Sequence, residues 1–309
     1  MTSMLSSTPI ECPQYLLDKA RVLAPAPTAI VNAGAQLPME SAKEAFEKGL
    51  IEPVLVGDIS IINAIAKTLA WDISELRVVA AGGEVAAAQT SVALARGGEV
   101  SSLMKGNLHT DNLLRAVINR DTGLRTGTRL SHVFHMTLPG SDAAICITDA
   151  AINVLPPVGV KLDIARNVTA LMHALGNKAP KIAVLSATEV PTESVPSSME
   201  AAEVVKEAQN GAVPGAIIDG PFAFDNAVSS EAAKIKGINS PVAGCADVLL
   251  VPNIEAGNVL FKQMVYFMSA AAAGIVMGAK VPIVLTSRAD PVAARLASAA
   301  LASIVASAT

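Results

Sequence analysis

An α/β architecture built on buried parallel strands is what this sequence predicts, and three observations carry that expectation. The chain is 51% hydrophobic but only 3% aromatic and 16% charged. Its apolar weight therefore rests on Ala, Val, Ile and Leu, the residues used by buried parallel strands and tightly packed crossover helices. A βαβ unit is readable near the start, from Ala29 through Asp58. The same alternation recurs to the end of the chain, with no fixed-period repeat and no low-complexity linker. At 309 residues the chain exceeds what one core usually serves, so one large or two medium domains are expected, joined by crossing strands or helices and not by a flexible tether.

In order, the sequence predicts a strand at 29–33 ended by Gly34, and a helix over 38–49 with apolar residues at Ala42, Ala45 and Phe46. A second strand follows at 53–58, parallel to the first with a right-handed crossover. Residues 59–69 read as helix, 77–80 as strand and 84–96 as an alanine-rich helix. Gly82-Gly83 is a turn without GxGxxG spacing, so no dinucleotide fingerprint is present. A strand ends at Lys105-Gly106, and Thr110 caps a helix over 111–120. Strands are expected at 131–138, 144–148, 181–186, 215–219 and 247–251, and helices at 161–175, 197–209 and 258–277.

Bulk properties narrow the function. The formal net charge is −4, which argues against nucleic acid or an anionic membrane as partner. Mean hydropathy is +0.47, yet the most apolar stretch, Met264–Ala279, is too short to span a bilayer easily and reads as a buried core helix. The N-terminus has no basic region followed by an apolar one, so no signal peptide is expected. Cys12, Cys146 and Cys245 are far apart and unpaired in spacing, which suits a reducing cytoplasm. Cys146 and Cys245 sit in apolar runs and are expected in the core.

The chemistry is expected at Pro282–Pro291. A short apolar strand gives way within two residues to Ser287 and Arg288, followed by Asp290 as N-cap and Pro291 as first-turn proline of a helix over 292–306. A hydroxyl and a guanidinium at a helix N-terminus suit an anion, phosphate foremost. The blander account makes Ser287 and Arg288 strand-end polar residues and Asp290 only a cap. A second basic group lies in one short span: Lys105, Arg115, Arg120, Arg125 and Arg129. Arg115 and Arg120, on helix faces, read as solvated charges. Lys105 at a strand end, with Arg125 and Arg129 in a mobile-looking loop, are better placed to grip a phosphorylated ligand. His132 and His135 in a strand read as half-buried structural residues more readily than as catalysts.

Several longer pieces resemble one family. LMKGNLHTDNLLRAV, GLRTGTRLSHV, TDAAINV, Asp219-Gly220-Pro221 with Phe224-Asp225, VPNIEAGNVLFKQMVYF and LTSRAD, with GLIEPVLVGD near the start, are similar in order to phosphate acetyltransferases and phosphate butyryltransferases, and closer to the butyryl type. The resemblance implies a two-domain three-layer α/β/α fold, isocitrate/isopropylmalate-dehydrogenase-like, with the active site in the cleft between domains. Its domains would be 1–138 with 275–309, and 139–274. It also implies a homodimer, to which helix 258–277 could contribute, and reversible acyl transfer between CoA and inorganic phosphate through a ternary complex. No tightly bound cofactor or metal is expected, coenzyme A being a substrate. Ser287, Arg288 and Asp290 would be catalytic, and Lys105, Arg125, Arg129, His132 and Asn258 would bind phosphate or CoA. Acetyl-type members carry a proposed catalytic aspartate one to two turns after the Ser-Arg pair. Here that place reads Val292-Ala293-Ala294-Arg295, leaving Asp290 as the nearest carboxylate.

Two rivals share the fold or the ligands. A pyridine-nucleotide dehydrogenase of a phosphorylated hydroxy acid would need converging metal ligands, and Asp219, Asp225 and His109 are scattered. A non-catalytic CoA- or phosphate-binding regulator would show no exchange of phosphate for CoA.

Overall fold

The computed structural model describes residues 4–285 and 290–308. The chain is mixed α/β and divides into two compact units: a first unit of Ile10–Gly127 with Ala273–Thr309, and a second of Met1–Pro9 with Thr128–Ala272.

The first unit runs α1 (Gln14–Arg21), β1 (Ala26–Val31), α2 (Gln36–Glu47), β2 (Ile51–Gly57), α3 (Ile59–Thr68), β3 (Arg77–Ala80), α4 (Gly83–Arg96), β4 (Ser102–Lys105) and α5 (Thr110–Val117). The expected βαβ unit is present, with β1 and β2 parallel and in register from Ala26↔Ile51 to Val31↔Val56. β3 and β4 extend it in parallel on either side. Asp58 starts α3 by accepting hydrogen bonds from the Ser60 and Ile61 N–H groups. A crossing of backbones fixes the ends of β1 and β4. A Cβ on Gly106 would collide with the Val31 and Asn32 carbonyl oxygens, so only glycine lets the chain leave β4 there. Asn32, at φ 57°, donates through its side-chain amide to the Asn107 carbonyl, and Asn107 N–H returns a bond to Asn32 O at 2.9 Å.

The second unit contains β5 (Ser131–Thr137), β6 (Ala144–Thr148), α6 (Val158–Ala174), β7 (Lys181–Leu185), α7 (Pro196–Glu207) closing in a π turn at Ala208–Ala212, β8 (Ile217–Phe222), α8 (Phe224–Val228), α9 (Ser230–Ile235), β9 (Val248–Leu250) and α10 (Ile254–Met268). β5 and β6 form an antiparallel hairpin; β6, β9, β7 and β8 then follow in parallel. The boundary between the units at Gly127/Thr128 falls before β5.

The chain then supplies β10 (Ala271–Met277), β11 (Ile283–Val284) and α11 (Val292–Ser307). β11 lies parallel to β4 and antiparallel to β10. The expected helix over 258–277, and with it the core helix over Met264–Ala279, is corrected here: the helix ends at Met268 and a strand follows. Ser269 takes a left-handed conformation (φ 51°) that breaks the helix. The Ala-rich run beyond it is almost wholly buried as a strand, so tertiary packing overrides alanine's helical propensity. α11 survives burial on nearly every side because it is rich in Ala and Ser. Its Ser298 hydroxyl donates to Ala294 O and accepts from Gly274 N–H, joining helix to β10.

Three smaller expectations also change. Thr110 is the first residue of α5 and not its cap, a position held by His109 without a side-chain bond, and the helix ends at Val117 where 120 was expected. Cys146 is buried, but Cys245 is exposed, in the turn after buried Val242, whose carbonyl accepts from the Cys245 N–H at 3.1 Å. The N-cap position of α11, expected at Asp290, is held by Pro291, whose own side chain makes no cap bond.

Candidate active site

Ser287 and Arg288 lie outside the described residues. Asp290 is half-buried directly before α11. Its carbonyl accepts a hydrogen bond from Nη1 of Arg295, which is itself buried. Lys105 ends β4, one residue past Met104, which faces Val284 of β11 in register. A cation therefore stands at the strand edge where β11 also ends, where α/β sheets present their ligand-handling residues.

The loop at 121–129 is not loose, contrary to its composition. Leu124 is fully buried, its carbonyl accepts from Lys280 N–H at 2.9 Å, and Thr126 Oγ1 donates to Gly278 O at 2.7 Å. Arg125 bridges Ala279 through its backbone and leaves its side chain exposed. Arg115 and Arg120 are exposed, as expected. Arg115 lines an open groove of about 480 Å³ between α4 and α5, with Arg96, Val85 and Gln89. At the mouth of α4, Glu84 accepts from the His109 N–H, the His109 ring and the Asn112 amide. Those bonds, the His109 N–H first, hold its carboxyl down to about 2. Glu84 stays anionic and fixes the turn after Lys105-Gly106.

In the second unit Arg129, His132 and Asn258 gather round one polar turn. Buried Asp149 accepts from the N–H groups of Ala151, Ile152 and Asn153 and from the Asn153 side-chain amide at 2.6 Å. Asn153 in turn donates to Leu130 O and accepts from Arg129 Nε at 2.8 Å. α10 docks on this turn through Gly257, where a Cβ would press on Ala150 at 2.8 Å. Asn253 caps that helix, and Asn258 Nδ2 reaches Ala150 O at 3.5 Å. The turn was visible beforehand only as TDAAINV. The Asp-x-x-x-Asn spacing, an acidic residue gathering N–H groups ahead of it, was the signal available.

His132 is buried, not half-buried, and among the described residues its Nδ1 has no hydrogen-bond partner. Its ring lies 4.3 Å from that of Phe134, which stacks on Phe261 of α10 at 3.9 Å. Burial pushes its pKa from 6.5 down to about 4, against the opposing pull of Asp149. Burial does the same to His135, also to about 4. Both are neutral at pH 7. Because the folded pKa lies below the unfolded one, the unfolded chain takes up protons first as pH falls through 6.5, and stability drops until about pH 4. At about 1.4 kcal/mol per pH unit between the two values, each histidine costs on the order of 3 kcal/mol by pH 4. Urea midpoints should fall between pH 7 and pH 5, and His132→Gln should lose less over that range. Equal midpoints for the native chain at both pH values would contradict this.

Burial also pushes the Cys12 and Cys146 thiols up to about 12, which leaves them unsuited to nucleophilic attack. Cys245 has Lys181 Nζ 3.1 Å from its sulfur. Among the described residues no group of His, Cys, Asp and Glu is arranged to hold a metal ion.

Basic side chains at a strand edge and beside a polar turn, on an α/β frame, are the equipment of a protein that handles anionic substrates. Residues 84–303 match the family described as Phosphate acetyl/butaryl transferase. A Phosphate acetyltransferase of Rhizobium meliloti is 47% identical over 94% of this chain and 92% of its own. A Phosphate butyryltransferase of Clostridium beijerinckii is 38% identical over 94% and 96%. The crystal structure of a branched-chain phosphotransacylase from Enterococcus faecalis superposes with a TM-score of 0.79 at 30% identity, covering 91% of this chain and 99% of that one. The chain belongs to the phosphate acetyl/butyryl transferase family. Of the two relatives compared by sequence, the acetyl-named one is the more similar, the reverse of the order expected from the sequence.

Proposed function

We propose that the chain catalyses reversible transfer of a short acyl group between CoA and inorganic phosphate: acyl-CoA plus phosphate gives acyl phosphate plus CoA. The observation that carries this reading is the family match over residues 84–303. In the direction of CoA acylation, the thiol proton passes to a base, a sulfur–carbon bond forms, the carbon–oxygen bond to phosphate breaks, and phosphate leaves with the electron pair. Transfer is direct, in a ternary complex. The high thiol pKa values of Cys12 and Cys146 favour this over a cysteinyl acyl-enzyme.

Two anions must approach one carbonyl, so fixed positive charge is the principal demand. Arg288 supplies it as the phosphate clamp. Ser287 hydrogen-bonds the developing oxyanion, and Asp290 takes the thiol proton. Lys105, Arg125, Arg129, His132 and Asn258 bind the phosphate or CoA portions of the substrates, His132 as a neutral imidazole. CoA is a substrate here and no resident cofactor is part of the reading. Three free cysteines and the lack, among the described residues, of a helix long and apolar enough to cross a membrane support placing the enzyme in the cytoplasm. Phosphate-dependent release of CoA, assayed across C2 to C5 acyl-CoAs, tests the whole reading. No release with any of them, or NAD reduction in its place, overturns it.

The division of the basic span is tested with four alanine variants. Lys105→Ala and Arg129→Ala should each raise KM for CoA or for phosphate by roughly tenfold. Arg115→Ala and Arg120→Ala, exposed on or just beyond α5, should stay within about twofold of the native enzyme. Equal damage from both pairs refutes the division.

A homodimer is also part of the reading. α10 is apolar, yet among its residues only Gly257 is buried. Leu260, Phe261, Met264 and Val265 pack on the core, while Val259, Tyr266, Phe267 and Met268 stay exposed, alongside Val154 and Leu155. An apolar face of this extent marks an association surface. Sedimentation equilibrium should report a dimer, and Val259→Glu with Phe267→Glu should give a monomer. A monomeric native chain excludes this role for α10.

A further inference from the structure

We propose that Asn153 is a positioning residue for Arg129, aiming its guanidinium at the phosphate-bearing part of a substrate, with Asp149 setting the orientation of the Asn153 amide. The inference rests on reading Arg129 as a ligand-gripping group. Three contacts immobilise Arg129. Its N–H donates to Asp163 Oδ2 at 3.1 Å, its carbonyl accepts from Asn167 Nδ2 at 2.8 Å, and its Nε donates to Asn153 Oδ1 at 2.8 Å. Both flanking supports are themselves held: Asp163 pairs with Arg166 Nη1 at 2.6 Å, and Asn167 also donates to the Ser131 hydroxyl at 2.8 Å. Among the described residues, Nη1 and Nη2 of Arg129 have no hydrogen-bond partner. The guanidinium is therefore fixed at its inner nitrogen, and its outer two nitrogens are presented as a fork.

The identity of the brace matters. Asn153 is 4% exposed and stands between Asp149 and Arg129. Its Nδ2 is committed to Asp149 Oδ2 and Leu130 O, so only its oxygen can face Nε. A neutral amide oxygen orients the guanidinium without cancelling its charge. A carboxylate in direct contact would occupy the fork and reduce its attraction for an incoming phosphate oxygen. The Asp-x-x-x-Asn turn thus converts a buried negative charge into an aimed but unquenched positive one. A preorganised donor of this kind loses little entropy when the ligand arrives.

A double-mutant cycle tests the inference. Asn153→Ala should raise KM for CoA or for phosphate, whichever Arg129→Ala raises, by on the order of tenfold, with kcat less affected. In an Arg129→Lys background, which has no Nε to brace, Asn153→Ala should change KM by less than about twofold. Which KM moves tells whether the phosphate held is that of CoA or the inorganic one. Independent, multiplying effects, or an Asn153→Ala enzyme with native KM values, overturn the positioning role. If Arg129→Ala itself leaves both KM values unchanged, the reading of Arg129 fails first, a distinct result. Thermal melting separates a general loss of packing, and if Asn153→Ala does not fold, Asn153→Ser removes the same bond while filling more of the space.

Discussion

Arg288→Ala should lower turnover roughly 30- to 1000-fold while leaving the fold intact. Losing a charge-assisted, two-pronged contact to a phosphate in a partly dry site costs on the order of 2–4 kcal/mol of transition-state stabilisation. In the sequence Arg288 follows β11, a strand buried between β4 and β10, and precedes α11, whose N-cap residue is Pro291. The N–H groups of a helix's first turn and the positive end of its dipole favour the same anion that a guanidinium would hold. Arg288→Lys should restore only part of the loss, since a point charge cannot reproduce the fork. Steady-state kinetics at limiting and saturating phosphate decide the matter. Near-native kcat and KM for phosphate in Arg288→Ala would remove it from the clamp.

Those residues were the most conspicuous in the sequence because they combine a change of hydropathy with a helix start within a few positions. The parallel β1–β2 pair was legible for a similar reason: Val, Ile and Leu runs bounded by glycine leave few alternatives. What escaped was whatever depended on distant packing. Ala271–Met277 carries helix-forming alanines, and only burial between neighbouring elements makes it a strand. Pro291 takes the cap position that Asp290 was expected to hold, which the adjacent Asp-Pro pair could not decide. The Asp149–Asn153–Arg129 chain joins residues whose roles appear only once β5, β6 and the turn after β6 are brought together. Gly106 and Gly257 looked like ordinary glycines, and each is required because another backbone or side chain passes within contact distance.

Asp290→Asn is the second substitution expected to have a large effect. Pro291 holds the N-cap position of α11, so Asp290 stands one residue ahead of the position it was expected to cap. The main chain of Asp290 is tied by its carbonyl to buried Arg295, and that contact does not involve the carboxylate. Asparagine matches aspartate in size and caps a helix about as well, so Asp290→Asn should preserve the backbone and the helix. On the proposed reading of Asp290 as the base it removes the proton acceptor for the CoA thiol, and turnover should then fall about 10²- to 10⁴-fold near neutral pH. A free thiol ionises with a pKa of about 8.5, so the deficit should shrink as pH rises toward that value and thiolate forms unaided. The expected signature is a pH–rate profile in which the variant converges on the native enzyme in the alkaline limb, with KM for phosphate little changed. Full activity of Asp290→Asn at pH 7 would leave thiol deprotonation to the positive field of Arg288 and the α11 N-terminus. A deficit that stayed constant with pH would make Asp290 a group that orients substrate and takes no proton.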